Sequence, residues 1–395
     1  VSDVSVMPVV GHEKTEGSET LLEPKGDKPG VICTQGLRDV RETRRRERPR
    51  TWGLGGDFEP VVDRRERLEV PERTLAGGAV RTPVNLNAVR ASAAQLLEQG
   101  CAAVSILFAN SYANPENEVA AVAVVRECWP NAHVSASSEI LPEIREFERF
   151  STTALNAYLQ PELSGYLGRL ELALKAGGFD GEFMIVQSNG GVMAVDTACR
   201  LPVRTALSGP AAGVIAAAYI AKSAGFYNVI TGDMGGTSFD VSLIAGGQSR
   251  LSAQTSIDFG MVIRASMIEI TTIGAGGGSI AWVDKGGLLN IGPESAGSDP
   301  GPVSYGLGND RPTVTDANVV LGRIDPENPM GGKLERLDVI AAQKAIDEHV
   351  GVPLGLDTLE AAEAILKVAN SRMAGAIRLV SIERGFDPKR FAFMP

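Results

Sequence analysis

An α/β fold in more than one domain is what this 395-residue sequence predicts, and three observations carry the prediction. The length exceeds that of one ordinary domain, so two domains or a bilobal molecule is the default. Between residues 85 and 140, helical periods alternate with short apolar runs, the order of a layer whose strands are at least partly parallel. Beyond residue 180, apolar strands run repeatedly into glycine-rich turns and resume on the far side.

The elements follow in order. "GVICT" is a short apolar run in an otherwise polar opening, and residues 48–80 read as short strands broken by Gly and Pro. "NLNAVRASAAQLLEQG" has helical spacing and ends on Gly100, a C′ glycine. "CAAVSILFAN" has the length of a buried strand. A second helix follows, with Asn114 as N-cap and Pro115 at its first position, then a strand over "HVSASSEI". Residues 141–178 are strongly helical, and Pro161 is expected to separate two helices. "FMIVQSNGGVM" is a strand entering a turn. Ser208 caps a small-residue helix that Gly225 stops, and two more helical patterns occupy 338–349 and 358–380. "RFAFMP" has the look of a strand.

Composition narrows the function. With 44% hydrophobic and 22% charged residues, the chain is of the folded globular class. A formal net charge of −10 argues against nucleic acid or an anionic membrane as primary partner. The basic cluster "RETRRRERPR" (41–50) is expected to be a solvated, partly ion-paired segment. Cys33, Cys101, Cys128 and Cys199 are scattered without a CxxC, the pattern of buried thiols in a reducing compartment. His12, His133 and His349 lie too far apart for a His-rich metal centre. No apolar run reaches the ~18–20 residues of a membrane span, and the start carries no signal-peptide pattern. A soluble, cytoplasmic protein is expected.

The stretch "NVITGDMGGTSFDVSLIAGGQSR" (228–250) carries the chemistry. Val229 and Ile230 lead to Asp233. After Thr237, the apolar residues Phe239, Val241 and Leu243 alternate with Ser238, Asp240 and Ser242, a half-buried strand. "SRLSAQTSI" would be the third strand of this meander. Two readings of the first turn are open. Its glycines supply positive φ for a hairpin, or Gly235 and Gly236 let backbone N–H groups approach a phosphate, with the Thr237 hydroxyl as a further donor. In the second reading Asp233 tolerates phosphate because a hydrated Mg²⁺ lies between them. A second glycine run, Gly274, Gly276, Gly277 and Gly278, returns to a strand through Ser279. The turn at Ser188, Asn189 and Gly190 and the helix start at Ser208 are further candidate anion contacts. Asp240 and Asp316 are secondary metal candidates, each with a structural alternative as a turn or helix cap.

The blocks "SNGGVM", "SGPAAGV", "DMGGTSFDVSLI", "IGAGGGSIAWVD", "GPESAGSDPGPVSYG" and "PTVTDANVVLGR" occur in the order found in the hydantoinase A/5-oxoprolinase family, which the sequence resembles over nearly its whole length. The resemblance implies a bilobal, ribonuclease H-like ATPase of the actin/Hsp70/sugar kinase superfamily, with mixed sheets flanked by helices. Residues 1–150 would be the remainder of an N-terminal domain and 151–395 the ATPase core. It further implies ATP and Mg²⁺ as cofactors, with Asp233, Gly235, Gly236, Thr237 and Ser238 in the second of two phosphate loops. The segment Gly274–Ser279 would lie beside the same cleft. A first phosphate loop of the type Val-Gly-Gly-Thr-Phe-Thr-Asp does not occur upstream of residue 228, and "GHEKTEGSETLLEPKG" keeps His12 but not the Gly-Thr pair of the family's block. The chain is therefore expected to be a central piece of a longer protein.

By the same resemblance, an amide or enolate oxygen attacks the γ-phosphate of ATP, and the protein contributes positioning and charge neutralisation. The substrate would be a small cyclic amide, with a B-type hydantoinase subunit or domain completing a hetero-oligomer. A ketone carboxylase subunit and a non-catalytic assembly subunit are the alternatives. The blocks argue against a sugar kinase.

Overall fold

The computed structural model describes residues 26–45, 60–258, 260–329 and 334–395. His12, the block around it and the second half of the basic cluster lie outside the described residues. The chain forms two compact units, one from residues up to 212 together with 251–268, the other from 213–250 together with 269–395. This partition differs from the division at residue 150 read from the sequence.

The first unit is built on a sheet of four strands, β1 (Pro29–Thr34), β2 (Arg67–Val70), β3 (Ala103–Leu107) and β4 (Val134–Ala136), in the order β2-β1-β3-β4 and parallel throughout. A parallel sheet needs cover on both faces. Helices α1 (Leu86–Glu98) and α2 (Glu116–Cys128) bury Val89, Leu96, Val122 and Val125 against Ile32, Val104 and Ile106. The opposite face, with Val31, Cys33 and Leu107, packs on Phe150 and Ala154 of helix α3 (Glu146–Ala176).

Local signals place these helices closely. Asn85 caps α1 by accepting from the Ala88 N–H, and Gly100 follows it with φ 80°. Pro115 takes the N-cap position of α2, so the cap falls one residue later than expected, while Asn114 Oδ1 accepts from the Glu116 N–H at 3.0 Å. Helix α3 runs unbroken through Pro161, against the sequence expectation. Every residue from Phe147 to Gln160 is buried, and that packing outweighs the hydrogen bond a mid-helix proline removes. The same burial draws α3 into the first unit, across residue 150. The strand expected over "HVSASSEI" stops at Ala136, and Ser137–Ile140 turn into a short helix.

After the hairpin of β5 (Met184–Val186) and β6 (Val192–Ala194), helix α4 (Ser208–Ser223) crosses from the first unit into the second. There β7 (Val229–Met234) lies between antiparallel β8 (Phe239–Ala245) and, in parallel, the last strand of the chain. The outer edge of β8 is shared. Gln248–Ser249 takes one end, and β9 (Ile270–Ile273) takes the other. Of the expected third strand only its first residue, Ser249, therefore continues the meander. Residues 251–268 belong to the first unit, where Leu251–Ser252 pairs with Met267–Ile268.

A hairpin of β10 (Ser279–Val283) and β11 (Leu289–Ser295) packs with α5 (Val314–Val320), α6 (Val339–Ile346) and the first half of α7 (Thr358–Val380) around Ile291, Ile346 and Ile365. The second half of α7 sets Ala376 and Val380 on Ile230, Val241 and Leu243 of the sheet. One capped helix thus joins two cores. Strand β12 (Ala392–Met394) fulfils the strand pattern of "RFAFMP".

Two surface expectations change. Cys33 and Cys101 are buried, which pushes their thiols up to about 12 and about 11, but Cys128 at the end of α2 is exposed. In the basic cluster, Arg45 is exposed and forks onto the buried Glu148 at 2.9 and 2.7 Å, as a partly ion-paired segment should, but Arg41 is only 2% exposed. Among the described residues, no helix is long and apolar enough to cross a membrane.

Candidate functional site

Strands β7 and β8 bring the Asp233 turn together. Asp233 and Asp240 are direct cross-strand partners, so their carboxylates share one face of the sheet, and Thr272 of β9 stands opposite Asp240 in turn. Thr272 Oγ1 donates to Asp240 Oδ1, and the Ser238 hydroxyl lies 3.4 Å from Oδ2. Burial pushes the Asp240 carboxyl up; the Thr272 hydrogen bond works against this, and the Asp233 charge adds to it. Two like charges set opposite each other are unfavourable on their own. A cation beside them reverses that balance.

The turn between the strands is open. Gly235 donates its N–H to Ser238 O at 2.9 Å, whereas the N–H groups of Gly236, Thr237 and Ser238 have no protein acceptor among the described residues. Neither Gly235 nor Gly236 has a positive φ. A Cβ built on Gly236 would meet nothing within 4 Å, and one on Gly235 only Ser238 O at 3.8 Å. The hairpin reading, in which these glycines serve backbone conformation, therefore fails. What their missing side chains leave is space beside three unused N–H groups, the geometry of an anion nest.

The second glycine loop does a different job. Gly277 N–H donates to Gly235 O at 2.9 Å, Gly278 N–H to Gly236 O at 2.5 Å, and Gly276 N–H to Ser279 Oγ at 2.9 Å. A Cβ on Gly276 would fall 2.6 Å from Gly236 C and O, and one on Gly277 2.8 Å from Thr315 Oγ1. The N–H groups of residues 276–278 are thus spent within the protein, which corrects their expected role as phosphate contacts. They hold the first loop in place. Gly274 carries the chain from β9 into this loop, and a Cβ built on it would stand at an ordinary 3.7 Å from Pro293 O.

Two residues that sequence reasoning passed over complete the support. Thr315 N–H donates to Gly277 O at 2.8 Å, and Ser295 Oγ lies 3.5 Å from Thr237 Oγ1 while accepting from Gly297 N–H at 3.2 Å. Both sit in quoted blocks, "GPESAG" and "TVTDAN", but nothing in their spacing marks them.

Models of the hydantoinase/oxoprolinase family match residues 149–394, and models of its N-terminal region match residues 3–129. The chain belongs to the hydantoinase/oxoprolinase family. It is 38% identical over 383 residues to caprolactamase subunit alpha of Pseudomonas jessenii, covering 96% of this chain and 55% of that one. It is 34% identical to the acetophenone carboxylase gamma subunit of Aromatoleum aromaticum, over 97% of this chain and 54% of that one. A nucleotide-free acetone carboxylase structure superposes with a TM-score of 0.81 at 28% identity, over 95% of this chain and 55% of that one. The chain thus spans a little over half the length of these relatives.

For this hydantoinase/oxoprolinase chain, the remaining candidates sort by their hydrogen bonds. Asp316 is fully buried at the start of α5, where its oxygens accept from the N–H groups of Val303, Ser304 and Thr313 and from the Thr313 hydroxyl. Saturated in this way, it is a capping-box residue and not a metal ligand. Ser188, Asn189 and Gly190 belong to the first unit and close the β5–β6 hairpin. Ser188 Oγ donates to the carbonyls of Arg204 and Ala206, Asn189 Oδ1 accepts from Gly191 N–H, and Gly190 has φ 83°. The Ser188 hydroxyl and the Asn189 side-chain oxygen are thus used within the protein.

Among the described residues, no three His, Cys, Asp or Glu side chains come together as a metal cage. Two carboxylates beside an open nest do fit Mg²⁺, which keeps several waters and takes its other oxygens from phosphate. Asp233 is the more exposed of the pair.

Proposed function

We propose that this chain is the nucleotide-binding part of an ATP-dependent enzyme that activates a cyclic amide at its oxygen, on a bilobal ATPase core of the actin/Hsp70/sugar kinase type. One observation carries the reading: the turn from Gly235 to Ser238 leaves three N–H groups and a side-chain-free space beside the Asp233–Asp240 pair. When bound, ATP with Mg²⁺ supplies the phosphoryl group that turns the amide oxygen into a better leaving group. The chain's share is electrostatic. The N–H groups of Gly236, Thr237 and Ser238 and the Thr237 hydroxyl hold phosphate oxygens. Asp233 orients a metal-bound water, with Asp240 held beside it by Thr272. The loop of Gly276–Gly278 keeps this cradle rigid, so little reorganisation is needed as charge develops.

The chain covers 55% of caprolactamase subunit alpha; in this reading the whole activity would also draw on a B-type subunit or domain. The similarity to acetophenone carboxylase supports a second reading, in which the acceptor is a ketone enolate. A non-catalytic assembly subunit is the third. Incubating the complete protein and its partner with ATP and either lactams or ketones plus bicarbonate separates them. Lactam-dependent ADP formation is the expected result, ketone-dependent carboxylation would favour the second reading, and no turnover together with an inert Asp233→Asn change would favour the third.

A further inference from the structure

A cleft of about 390 Å³ opens in the first unit and is lined by Gln35, Pro71, Glu72, Arg73, Arg81 and Thr82. Its place in the fold is not arbitrary. Gln35 follows the last residue of β1 and Pro71 the last of β2, so the cleft lies beyond the carboxyl ends of parallel strands. In the order β2-β1-β3-β4 it sits between the ends of β1 and β2, next to the β1–β3 crevice where the strand order reverses and not in it.

The polar groups converge on one chemistry. Glu72 is 3% exposed and has no cationic partner among the described residues. Its oxygens are held by neutral donors, Thr34 Oγ1 on one and Asn117 Nδ2, at 2.8 Å, on the other. Thr34 and Asn117 are fixed in turn, Thr34 Oγ1 by the Ala109 N–H at 2.8 Å and Asn117 Oδ1 by the Val84 N–H at 3.0 Å. Each Glu72 oxygen retains a further lone-pair direction. The same cleft is lined by two arginines of a short hairpin. Arg73 spends one nitrogen on Gln35 O at 3.2 Å, and Arg81 has no partner among the described residues. Neither forms an ion pair there. A buried carboxylate and two guanidinium groups without an ion-pair partner among the described residues thus line one cleft of small-ligand size.

We infer that this cleft binds a small amino carboxylate, its carboxylate on Arg73 and Arg81 and its ammonium or N–H directed to Glu72. The inference rests on the charges of the first unit and not on the nucleotide reading. The complete protein is titrated calorimetrically with glycine, β-alanine, 4-aminobutyrate and 6-aminohexanoate, with acetate and propylamine as single-charge controls. At least one amino acid binds, the controls bind at least about tenfold more weakly, and Arg81→Ala lowers that affinity about tenfold or more. Arg81 is exposed, so its removal leaves the fold intact, and nucleotide binding by Arg81→Ala is expected to match the parent. Absence of binding by every amino acid at 10 mM (about the weakest affinity worth a site) overturns the inference. So does acetate binding as well as the amino acids, or an unchanged affinity in Arg81→Ala.

Discussion

Two glycine loops lie against each other in the second unit, and their sequences advertise the same thing. The turn at Gly235–Gly236 and the run at Gly276–Gly278 each interrupt strands, and each invites a phosphate. The surroundings separate them. An added Cβ would meet open space at Gly236 but the backbone of the facing loop, 2.6 Å away, at Gly276. The N–H groups of Gly236, Thr237 and Ser238 in the first loop have no acceptor among the described residues, while those of the second are consumed in holding it. A glycine-rich turn is therefore ambiguous in sequence. It is a candidate site only where neither backbone conformation nor close packing already accounts for the glycine.

The largest test of this contrast is Asp233→Asn. If the open loop is the working one, ATP turnover in the complete enzyme should fall by about 10²-fold or more while thermal stability stays near that of the parent. Equal turnover would move the chemistry away from this turn.

Gly276→Ala should do the reverse. Its methyl group has to displace the backbone at Gly236 and Thr237, and overpacking of this kind costs about 1–3 kcal/mol. Urea denaturation reads that loss directly. Stability equal to the parent would show that the loops are not held as closely as their hydrogen bonds imply. Gly236→Ala sharpens the pair: it should leave stability within about 0.5 kcal/mol, yet weaken nucleotide binding about tenfold by filling the space meant for phosphate. Should the two alanine variants behave alike, the distinction between the loops fails.

Much of this was legible beforehand, and for definite reasons. The helices of the first unit follow from period, from the Asn85 cap and from Gly100, all local signals. The Asp233 turn was visible because a strand ending in an acid and two glycines is uncommon chemistry in a hairpin. Distant contacts were not visible. That Pro161 would sit inside one helix depended on burial supplied by a sheet far away in sequence. That the meander's outer strand would be Ile270–Ile273, and not the residues next in line, depended on the excursion of 251–268 into the other unit. The division of labour between the glycine loops depended on which N–H met which carbonyl, and spacing carries no record of that.

The comparison extends to buried carboxylates, where the expected effect is smallest. Glu118 is fully buried, and the N–H groups of Phe108 and Ser138 and the Ser137 hydroxyl donate to it at 2.9, 2.6 and 2.7 Å. The Arg149 guanidinium, also fully buried, reaches it only through that hydroxyl, at 3.2 Å. Burial raises the Glu118 carboxyl above its ordinary value, with the hydrogen bonds opposing the rise. The sign follows from proton counting. Between the ordinary value and the raised one, the folded protein keeps a proton that the unfolded chain has released, so stability declines as pH rises through that window and is level above it. Glu118→Gln cannot titrate. Measured against it by urea denaturation from pH 4.5 upward, the parent should lose relative stability with a slope of at most about 1.4 kcal/mol per pH unit. A constant offset between the two would mean that the folded carboxyl titrates as the unfolded one does, and that its three donors hold it charged as securely as water would.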